Sequence, residues 1–282
     1  MQINIDFANS RYQMPFYSLV CSSVDVSSSN VAKILMKEYD FVPINEFLYN
    51  SNVYSNVQLI MINKIPLYAD KIDEIYSDTG CFIFVSQHKS SSKIPTLTCH
   101  TTGNFNQNLY GGRPKEIAMC YPWIQKQYFL ELHKQRHNVP RFDITLEATH
   151  HGPTSLGKPT MYVEIGSTEK EWRDINAAKI VCTALLEAVS KHPGKCKKVA
   201  MALGGTHYPS KFNKLLLESE YGLAAIAAKY NLQYLDDAML QQMISRSIEK
   251  VSYLVYDSKG MGNEKKRVLL LVEERGLEII KV

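Results

Sequence analysis

Short apolar runs alternate with amphipathic segments along most of the chain. The runs at 57–62, 81–86, 144–149, 160–166 and 198–204 carry few polar side chains, which is typical of strands that are buried on both faces. Segments with apolar residues at helical spacing lie between these runs or follow them. The alternation predicts an α/β protein without internal repeats.

The clearest helix signal begins at Thr168, because Thr168 and Glu171 have the spacing of a capping box. Apolar residues then recur near helical spacing until Pro193 and Gly194, so one helix is predicted between these two signals. The same criteria predict further helices at 27–41, 211–220, 236–250 and 264–276, and extended segments at 3–7, 18–23, 252–257 and 277–282.

Composition indicates the size of the core and the compartment. The chain has 282 residues, of which 45% are hydrophobic, so a single domain over 1–282 is predicted. Its 32 basic and 28 acidic residues permit contact with a polyanion without requiring it. The six cysteines show no C-x-x-C spacing, as expected for reduced, buried thiols. With no leader pattern and no long apolar stretch, we expect a cytoplasmic monomer without a membrane partner.

The stretch at 144–160 reads ITLEATHHGPTSLGKPT and allows two incompatible interpretations. Residues 152–158 approach the phosphate-binding pattern G-x-x-x-x-G-K-[ST], but Pro159 occupies the position that needs a hydroxyl. Pro153 removes a further backbone donor from the same loop, and no helical pattern follows it. The stretch therefore does not indicate a nucleoside triphosphatase.

Five of the eight histidines lie at or just beyond a predicted strand, where open α/β sheets have their sites. They are His88, His100, His150, His151 and His207. Glycine, threonine or asparagine lies near most of them, and glycine lets a substrate approach the backbone. The other three lie on predicted helical surfaces among lysines and are expected to be solvated: His133, His137 and His192.

These imidazoles, with a carboxylate at Glu147 or Glu164, leave two chemistries open. In the first, a metal ion lowers the pKa of a bound water, and zinc is the default for a histidine and carboxylate site. In the second, a histidine acts as a metal-free general base, oriented by a carboxylate or by an asparagine such as Asn104. The chain contains neither H-E-x-x-H nor G-x-S-x-G, so a zincin helix and a serine nucleophile elbow are excluded. Both remaining chemistries imply hydrolysis.

Four motifs follow one another in the chain: HKSSSKIPTLTCHTTGN at 88–104, LEATHHGPT at 146–154, VEIGSTEKEWRD at 163–174 and LGGTHYPSKF at 203–212. Together with CSSVDVSSSNVAKILMKEYDF at 21–41, they strongly resemble the archaeal and plant type of D-aminoacyl-tRNA deacylase. The resemblance implies a zinc-dependent proofreading hydrolase that removes D-amino acids, D-tyrosine among them, from the 3′ end of tRNA. It also implies a three-layer α/β/α fold with a central mixed sheet, similar to peptidyl-tRNA hydrolase and phosphorylase-like folds.

The residues themselves, taken together with this resemblance, give each candidate an expected role. Catalytic roles are expected for His151, His207, Glu147 and Asn104. Metal ligands are expected at His88, His100, His150 and Glu164. Backbone amides for the oxyanion are expected at Gly103, Gly204 and Gly205. Contacts with tRNA are expected from Lys126, Lys134, Arg136 and Arg141. Whether His151 or His207 binds the metal or moves a proton stays open.

Other functional classes share part of these features. A metal-dependent hydrolase of small esters or amides, or an enzyme like peptidyl-tRNA hydrolase, would use the same histidines. A tRNA enzyme should lose affinity steeply as salt rises, whereas a hydrolase of small substrates should not. A non-catalytic tRNA-binding relative would lack the histidines, most of which this chain has.

One position departs from the pattern of the family. Where members carry Gly-His-Ile-x-Pro-Lys-Tyr, this chain has AAIAAKY at 224–230, so Ala225 replaces a histidine. Alanine can neither bind metal nor carry a proton. Because the other motifs are intact and buried polar clusters are costly, we expect an active enzyme with weaker or fewer bound metals than its relatives.

Overall fold

The structure, a computed structural model, describes residues 16–282, so the strand predicted at 3–7 lies outside the described residues. The strands are β1 Tyr17–Ser22, β2 Phe41–Pro43, β3 Leu48–Ser51, β4 Val57–Ile62, β5 Cys81–Lys89, β6 Thr96–His100, β7 Gly103–Asn104, β8 Glu116–Ile117, β9 Asp143–Leu146, β10 Thr160–Ser167, β11 Lys198–Leu203, β12 Tyr221–Ala227, β13 Tyr253–Tyr256 and β14 Glu278–Lys281. The helices are α1 Val26–Glu38, α2 Ile72–Ile75, α3 Pro122–Lys134, α4 Glu169–Trp172, α5 Ile175–Ser190, α6 Ser210–Glu218, α7 Asp237–Ser245 and α8 Lys265–Glu273. The predicted α/β class is confirmed.

The larger sheet has eight strands in the order β2-β3-β4-β1-β5-β10-β6-β9. Its central pairs, β4 with β1, β1 with β5 and β5 with β10, are parallel. Strand β6 runs antiparallel to β10, and β9 pairs in parallel with β6. The predicted mixed sheet is therefore confirmed. Helices cover the central strands, which explains why these strands read as near-continuous apolar runs.

A smaller, all-parallel sheet has the order β12-β11-β13-β14. The sequence does not predict this second sheet, because apolar periodicity identifies strands without indicating their partners. Two backbone hydrogen bonds join it to the segment that follows β9. The amide of Ala148 donates to the carbonyl oxygen of His207 at 2.9 Å, and that of Thr149 donates to Ile226 at 2.9 Å. The candidate site lies at this junction.

Helix α1 packs against β5 and α5, and α3 packs against α5 and β12. The capping box of Thr168 and Glu171 is confirmed at the start of α4. The single long helix predicted after it is wrong, because α4 ends at Trp172 and α5 begins separately. Asp174 lies between them, and its carboxylate accepts a hydrogen bond from the amide of Ala177 at 2.9 Å. This capping bond favours a new helix start over continuation of α4.

The cysteines are free thiols, five of them buried and Cys196 half-buried, which confirms the predicted unpaired thiols. Burial raises the pKa of Cys21 and that of Cys120 to about 12. Such thiols are unreactive at neutral pH. Among the helices of residues 16–282, none combines the length and the apolar character needed to cross a bilayer.

Candidate active site between the two sheets

Adjacent strands of the larger sheet bring four of the predicted side chains together. His88 lies on β5, Glu164 on β10 and His100 at the end of β6. Glu147 directly follows β9. The register of β10 with β5 and with β6 sets Glu164 between the two histidines. All four side chains are buried, so their charges interact through little water.

The loop after β9 adds His150 and His151. His151 has a φ of 44°, a left-handed conformation that is uncommon outside glycine. Gly152 follows it and lies so close to the backbone of a neighbouring loop that a Cβ there would collide. The rings of His150 and His151 contact that of His100, with centroids 4.2 and 4.7 Å away. The tight turn thus brings three imidazoles together.

A shared hydrogen-bond pattern fixes the tautomers of these three histidines. Nδ1 lies close to a backbone carbonyl oxygen at 3.1 Å in His100, 2.9 Å in His150 and 2.8 Å in His151. A carbonyl oxygen only accepts hydrogen bonds, so each Nδ1 carries a proton and donates it. In the neutral rings, Nε2 therefore keeps its lone pair for another partner.

The smaller sheet supplies His207. Gly204 and Gly205, with φ of 96° and 79°, turn the chain after β11. Nε2 of His207 lies 2.8 Å from Oε2 of Glu147, and Nδ1 lies 3.1 Å from the hydroxyl of Tyr230. Because the carboxylate accepts, Nε2 carries the proton and Nδ1 is the basic nitrogen.

Two tyrosines complete the cluster and were not among the predicted site residues. The hydroxyl of Tyr208 lies 2.7 Å from Nε2 of His88, and Tyr230 contacts His207. Burial, aided by the charge of Glu147, raises the pKa of both phenols to about 12, so they stay protonated. The sequence indicates them only by position: Tyr208 directly follows His207, and Tyr230 ends the segment AAIAAKY at 224–230.

The two carboxylates are ionised despite their burial. Burial alone would raise the pKa of Glu164, but the imidazoles of His100 and His88 outweigh it and hold this pKa well below its usual range. Burial likewise opposes ionisation of Glu147, but the hydrogen bond from His207 lowers its pKa. The cluster therefore contains two negative charges that attract cations.

The imidazoles divide into two groups by their pKa. Burial would lower the pKa of His88, but Glu164 and Glu147 outweigh burial and raise it to about 9. Burial and the neighbouring charge of His100 lower the pKa of His151 to about 4, and burial holds the pKa of His150 well below its usual value. At neutral pH, His88 is cationic, whereas His150 and His151 are neutral and able to act as ligands.

Two buried atoms of the cluster have no hydrogen-bond partner within residues 16–282, namely Nε2 of His100 and Oε1 of Glu147. Burial would lower the pKa of His100, but Glu164, with a carboxylate oxygen 3.7 Å from Nε2 of His100, raises it. Three groups of side chains each bring three ligand atoms within 4.8 Å of one another: His100, His150 and His151; His88, Glu147 and His207; His100, Glu147 and Glu164. These residues could hold a metal ion.

Known proteins with the same motifs identify the family. The model of the D-aminoacyl-tRNA deacylase family matches residues 75–280. The chain belongs to this family. A curated D-aminoacyl-tRNA deacylase from Cenarchaeum symbiosum is 37% identical over 262 residues, which cover 93% of this chain and 98% of that protein. One from Pyrococcus furiosus is 32% identical over 271 residues with the same two coverages.

A solved structure resembles this deacylase-family chain over nearly its whole length. It is a crystal structure of a conserved protein of unknown function, with a TM-score of 0.87, 31% identity and coverage of 96% of both chains. The likeness to peptidyl-tRNA hydrolase stays a prediction.

The glycine amides that were expected to bind an oxyanion already have partners. The amide of Gly103 donates to the carbonyl oxygen of His151 at 2.8 Å. Those of Gly204 and Gly205 donate to Ala227 at 2.8 Å and to Gly260 at 3.2 Å. An amide that already donates within the fold has no proton left for a substrate oxygen. The structure therefore does not support the oxyanion role expected for these three glycines.

Asn104 has a structural partner instead of a catalytic one. Its Nδ2 donates to the carbonyl oxygens of Gly111 at 2.9 Å and Arg113 at 3.1 Å. These bonds hold the loop between β7 and β8 over the histidine cluster. The expectation that Asn104 orients a catalytic histidine is therefore not supported, and the residue positions the loop.

The basic residues expected to contact tRNA differ in their surroundings. Lys126 is buried, and its ammonium group donates to the carbonyl oxygens of Ser219 and Tyr221. This makes Lys126 a structural residue, contrary to the expectation. Lys134 pairs with Glu131, Arg141 pairs with Glu171 and Asp174, and Arg136 is exposed.

Two histidines that were expected to be solvated are partly buried. Nε2 of His133 is buried, and its ring contacts Phe129 at a centroid distance of 4.6 Å. His192 stacks on Phe16 at 4.2 Å and its Nδ1 lies 3.0 Å from the hydroxyl of Tyr17. Both are packing residues, because the neighbouring lysines extend to solvent while the imidazoles turn inward. His137 is exposed, as expected.

Two cavities flank the histidine cluster. One, of about 360 Å³, is lined by Phe105, Tyr110, Tyr230 and other residues. The other, of about 510 Å³, is lined by Val24, Leu67 and other residues. His150, His151 and Tyr110 line both cavities. A substrate held at the histidines therefore has room on two sides.

A larger cavity of about 720 Å³ lies at the opposite end of β11, and Glu249 lines it. Burial raises the pKa of Glu249 from 4.5 to about 7, although the amides of Cys196 and Trp123 donate to it. Because the pKa of Glu249 is higher in the folded state, its protonation contributes stability that is fully present below about pH 4.5. This contribution is lost as the pH rises through about 7.

We expect Glu249→Gln to flatten the pH dependence of the free energy of unfolding between these two values. Glutamine does not titrate, so the linkage to proton binding disappears. Urea unfolding of both proteins at several pH values measures the effect. Curves that run parallel for the variant and the wild type would contradict the prediction.

Proposed function

We propose that the chain hydrolyses the ester bond between a D-amino acid and the 3′-terminal ribose of tRNA, which releases the amino acid and the tRNA. Membership of the deacylase family supports this substrate and reaction. The observation that carries the proposal is the pair of Glu147 and His207, 2.8 Å apart, at the end of a buried histidine cluster. Ester hydrolysis needs an activated water and stabilisation of the developing charge, and no covalent nucleophile.

We assign a zinc site to His100, His150 and His151. Ligating imidazoles must be neutral. Burial keeps the pKa of His150 and of His151 low, whereas Glu164 raises that of His100, so His100 would release its proton when the ion binds. Each Nδ1 is held by a backbone carbonyl oxygen, which is the usual support of a metal-binding histidine. Zinc, when bound, would lower the pKa of a water molecule and polarise the ester carbonyl.

We assign the role of general base to His207. Its side chain is 31% exposed, so water can reach its basic Nδ1. In this proposal the attacking water takes the place of the hydroxyl of Tyr230, which lies 3.1 Å from Nδ1 in the free protein, and gives its proton to Nδ1. Glu147 holds the ring through Nε2 and stabilises the imidazolium that forms.

Tyr208 takes the oxyanion role in this proposal, in place of the glycine amides. Its hydroxyl lies 2.7 Å from Nε2 of His88, whose pKa is raised to about 9. The cationic imidazole donates to the phenol oxygen, which leaves the phenol proton available to a substrate oxygen. A hydrogen bond from such a polarised donor is stronger than one between neutral groups.

The decisive experiment compares D-tyrosyl-tRNA with L-tyrosyl-tRNA as substrates. We expect hydrolysis to be selective for the D-ester, because chirality changes where the side chain points and the pocket can reject one enantiomer. We also expect kcat/KM to fall steeply as salt rises. Equal rates on both enantiomers, or a rate that is insensitive to salt, would instead favour a hydrolase of small esters or a peptidyl-tRNA hydrolase.

The replacement Ala225→His tests whether the missing family histidine matters here. Ala225 is 1% exposed and belongs to an apolar cluster with Phe105, Leu232 and Met239. An imidazole there should destabilise the fold by about 1–3 kcal/mol through burial of a polar ring, without raising metal content or deacylation. Thermal unfolding, metal analysis and the deacylation assay measure these effects. If the wild type proved inactive and the replacement switched it on, the assigned catalytic residues would be the wrong ones.

A further inference from the structure

A smaller cavity of about 260 Å³ lies beside His207, on the side away from the histidine cluster. Its wall is basic and rich in glycine. The residues on which the inference rests are Gly205, Lys211, Lys229, Asp257, Lys259 and Gly260.

The cavity carries positive charge that no described side chain balances. The ammonium group of Lys211 donates to Asp257 at 2.9 Å and to the carbonyl oxygen of Val282 at 2.8 Å. Within residues 16–282, neither Lys229 nor Lys259 has a hydrogen-bond or ion-pair partner for its ammonium group. Asp257 therefore balances one of three ammonium groups, and the other two are available to an anion.

The cavity shares a wall with the active site. The amide of Lys229 donates to the carbonyl oxygen of Gly205 at 2.9 Å, and the next residue, Tyr230, contacts Nδ1 of His207 at 3.1 Å. Gly260 packs against Gly205 so closely that a Cβ on it would collide with the backbone. This close approach fixes the wall of the cavity, and a Cβ on Gly205 itself would meet no atom closer than 3.5 Å.

We propose that this cavity binds the phosphate group on the 5′ side of the terminal adenosine of the tRNA. The inference rests on the proposed function, which puts the ester of the terminal ribose at His207. The nearest anion along the RNA is then the phosphodiester on the other side of that ribose. Lysine ammonium groups and open backbone are suited to phosphate, which is recognised as a point of negative charge.

Two synthetic esters isolate this contact, because they differ only in the phosphate. One is adenosine with D-tyrosine esterified to the ribose 2′(3′)-hydroxyl, and the other is the same ester of adenosine 5′-monophosphate. For the wild type we expect kcat/KM to be about five- to tenfold higher with the phosphate, through KM. Lys229→Ala and Lys259→Ala should each reduce this preference, and the double variant should abolish it.

The same variants should change the salt dependence on D-tyrosyl-tRNA. Loss of one phosphate contact should lower the slope of log kcat/KM against log salt by about 0.7 to 0.9 in magnitude. Lys229→Arg keeps the charge and should restore most of both effects. Lys33→Ala removes an exposed charge from α1 and serves as the matched control that changes neither.

The outcomes separate this inference from the proposed function. A wild type that hydrolyses D-tyrosyl-tRNA but treats the two small esters alike would overturn the phosphate site and leave the function intact. A fall in kcat on both esters in Lys229→Ala would also overturn it, since the lysine would then act on the reaction itself. A wild type that hydrolyses none of the three substrates would refute the proposed function.

Discussion

Glu147→Gln is expected to lower kcat for D-tyrosyl-tRNA by about a hundredfold to ten-thousandfold. The carboxylate accepts a hydrogen bond from Nε2 of His207 at 2.8 Å and also lies 3.4 Å from Nδ1 of His88. Glutamine keeps the size of the side chain but loses the charge that orients His207 and stabilises its protonated form. Single-turnover deacylation measures the loss, and circular dichroism verifies the fold.

Glu131→Gln is the matched control for this variant. Glu131 is also a buried carboxylate, but its partners are Lys134 and Lys191, which are not part of the histidine cluster. We expect this replacement to reduce stability and to leave kcat within about twofold, because charge pairs outside a site mainly affect stability. If Glu147→Gln kept the wild-type kcat, the assignment of His207 as general base would be wrong.

Treatment with a chelator is expected to lower deacylation by about a hundredfold or more, which corresponds to about 2.7 kcal/mol of transition-state stabilisation, because the proposed mechanism uses a metal ion at the assigned site. The apparent stability should fall as well, since an ion that binds only the folded state stabilises it by mass action. Zinc should restore activity and magnesium should not, because imidazole suits zinc whereas magnesium prefers oxygen ligands. The measurements are metal content, Tm and the rate before and after chelation.

The variant His151→Ala tests the same site from the protein side. It removes one imidazole of the assigned triad and should lower both metal content and kcat. His133→Ala is its control, because His133 is a partly buried histidine outside the cluster. Full activity with a metal-free wild type would favour the metal-free chemistry, with His207 acting alone.

The sequence predicts which histidines belong to the site but not what each of them contacts. Strand ends lie at one edge of an α/β sheet, so His88, His100 and His150 were recognisable from position alone. The contacts of each histidine are not predictable in this way, because they depend on strand register and on pairing across long stretches of chain. Tyr230 contacts His207 across 23 positions, and no local pattern predicts such a contact.

The same limit explains the expectations that the structure does not support. A glycine in a sequence indicates an accessible backbone, but only the fold reveals that the amide of Gly204 already donates to Ala227. Lys126 looks like a surface charge because it lies among polar residues, yet the turn before β12 covers it. The division into two sheets cannot be predicted either, since the buried strands of both sheets carry the same kind of apolar run.

Because the active site spans the junction between the two sheets, its activity depends on contacts that strand pairing within each sheet does not stabilise. His207 comes from the smaller sheet and Glu147 from the larger one, and the bond from Ala148 to His207 helps to hold the sheets together there. A partial opening along this seam would separate base from carboxylate and leave the strand pairing inside each sheet intact. Such sub-global openings cost less free energy than complete unfolding. The enzyme can thus lose activity while most of its backbone stays folded. A metal ion or substrate bound at the junction would oppose this loss.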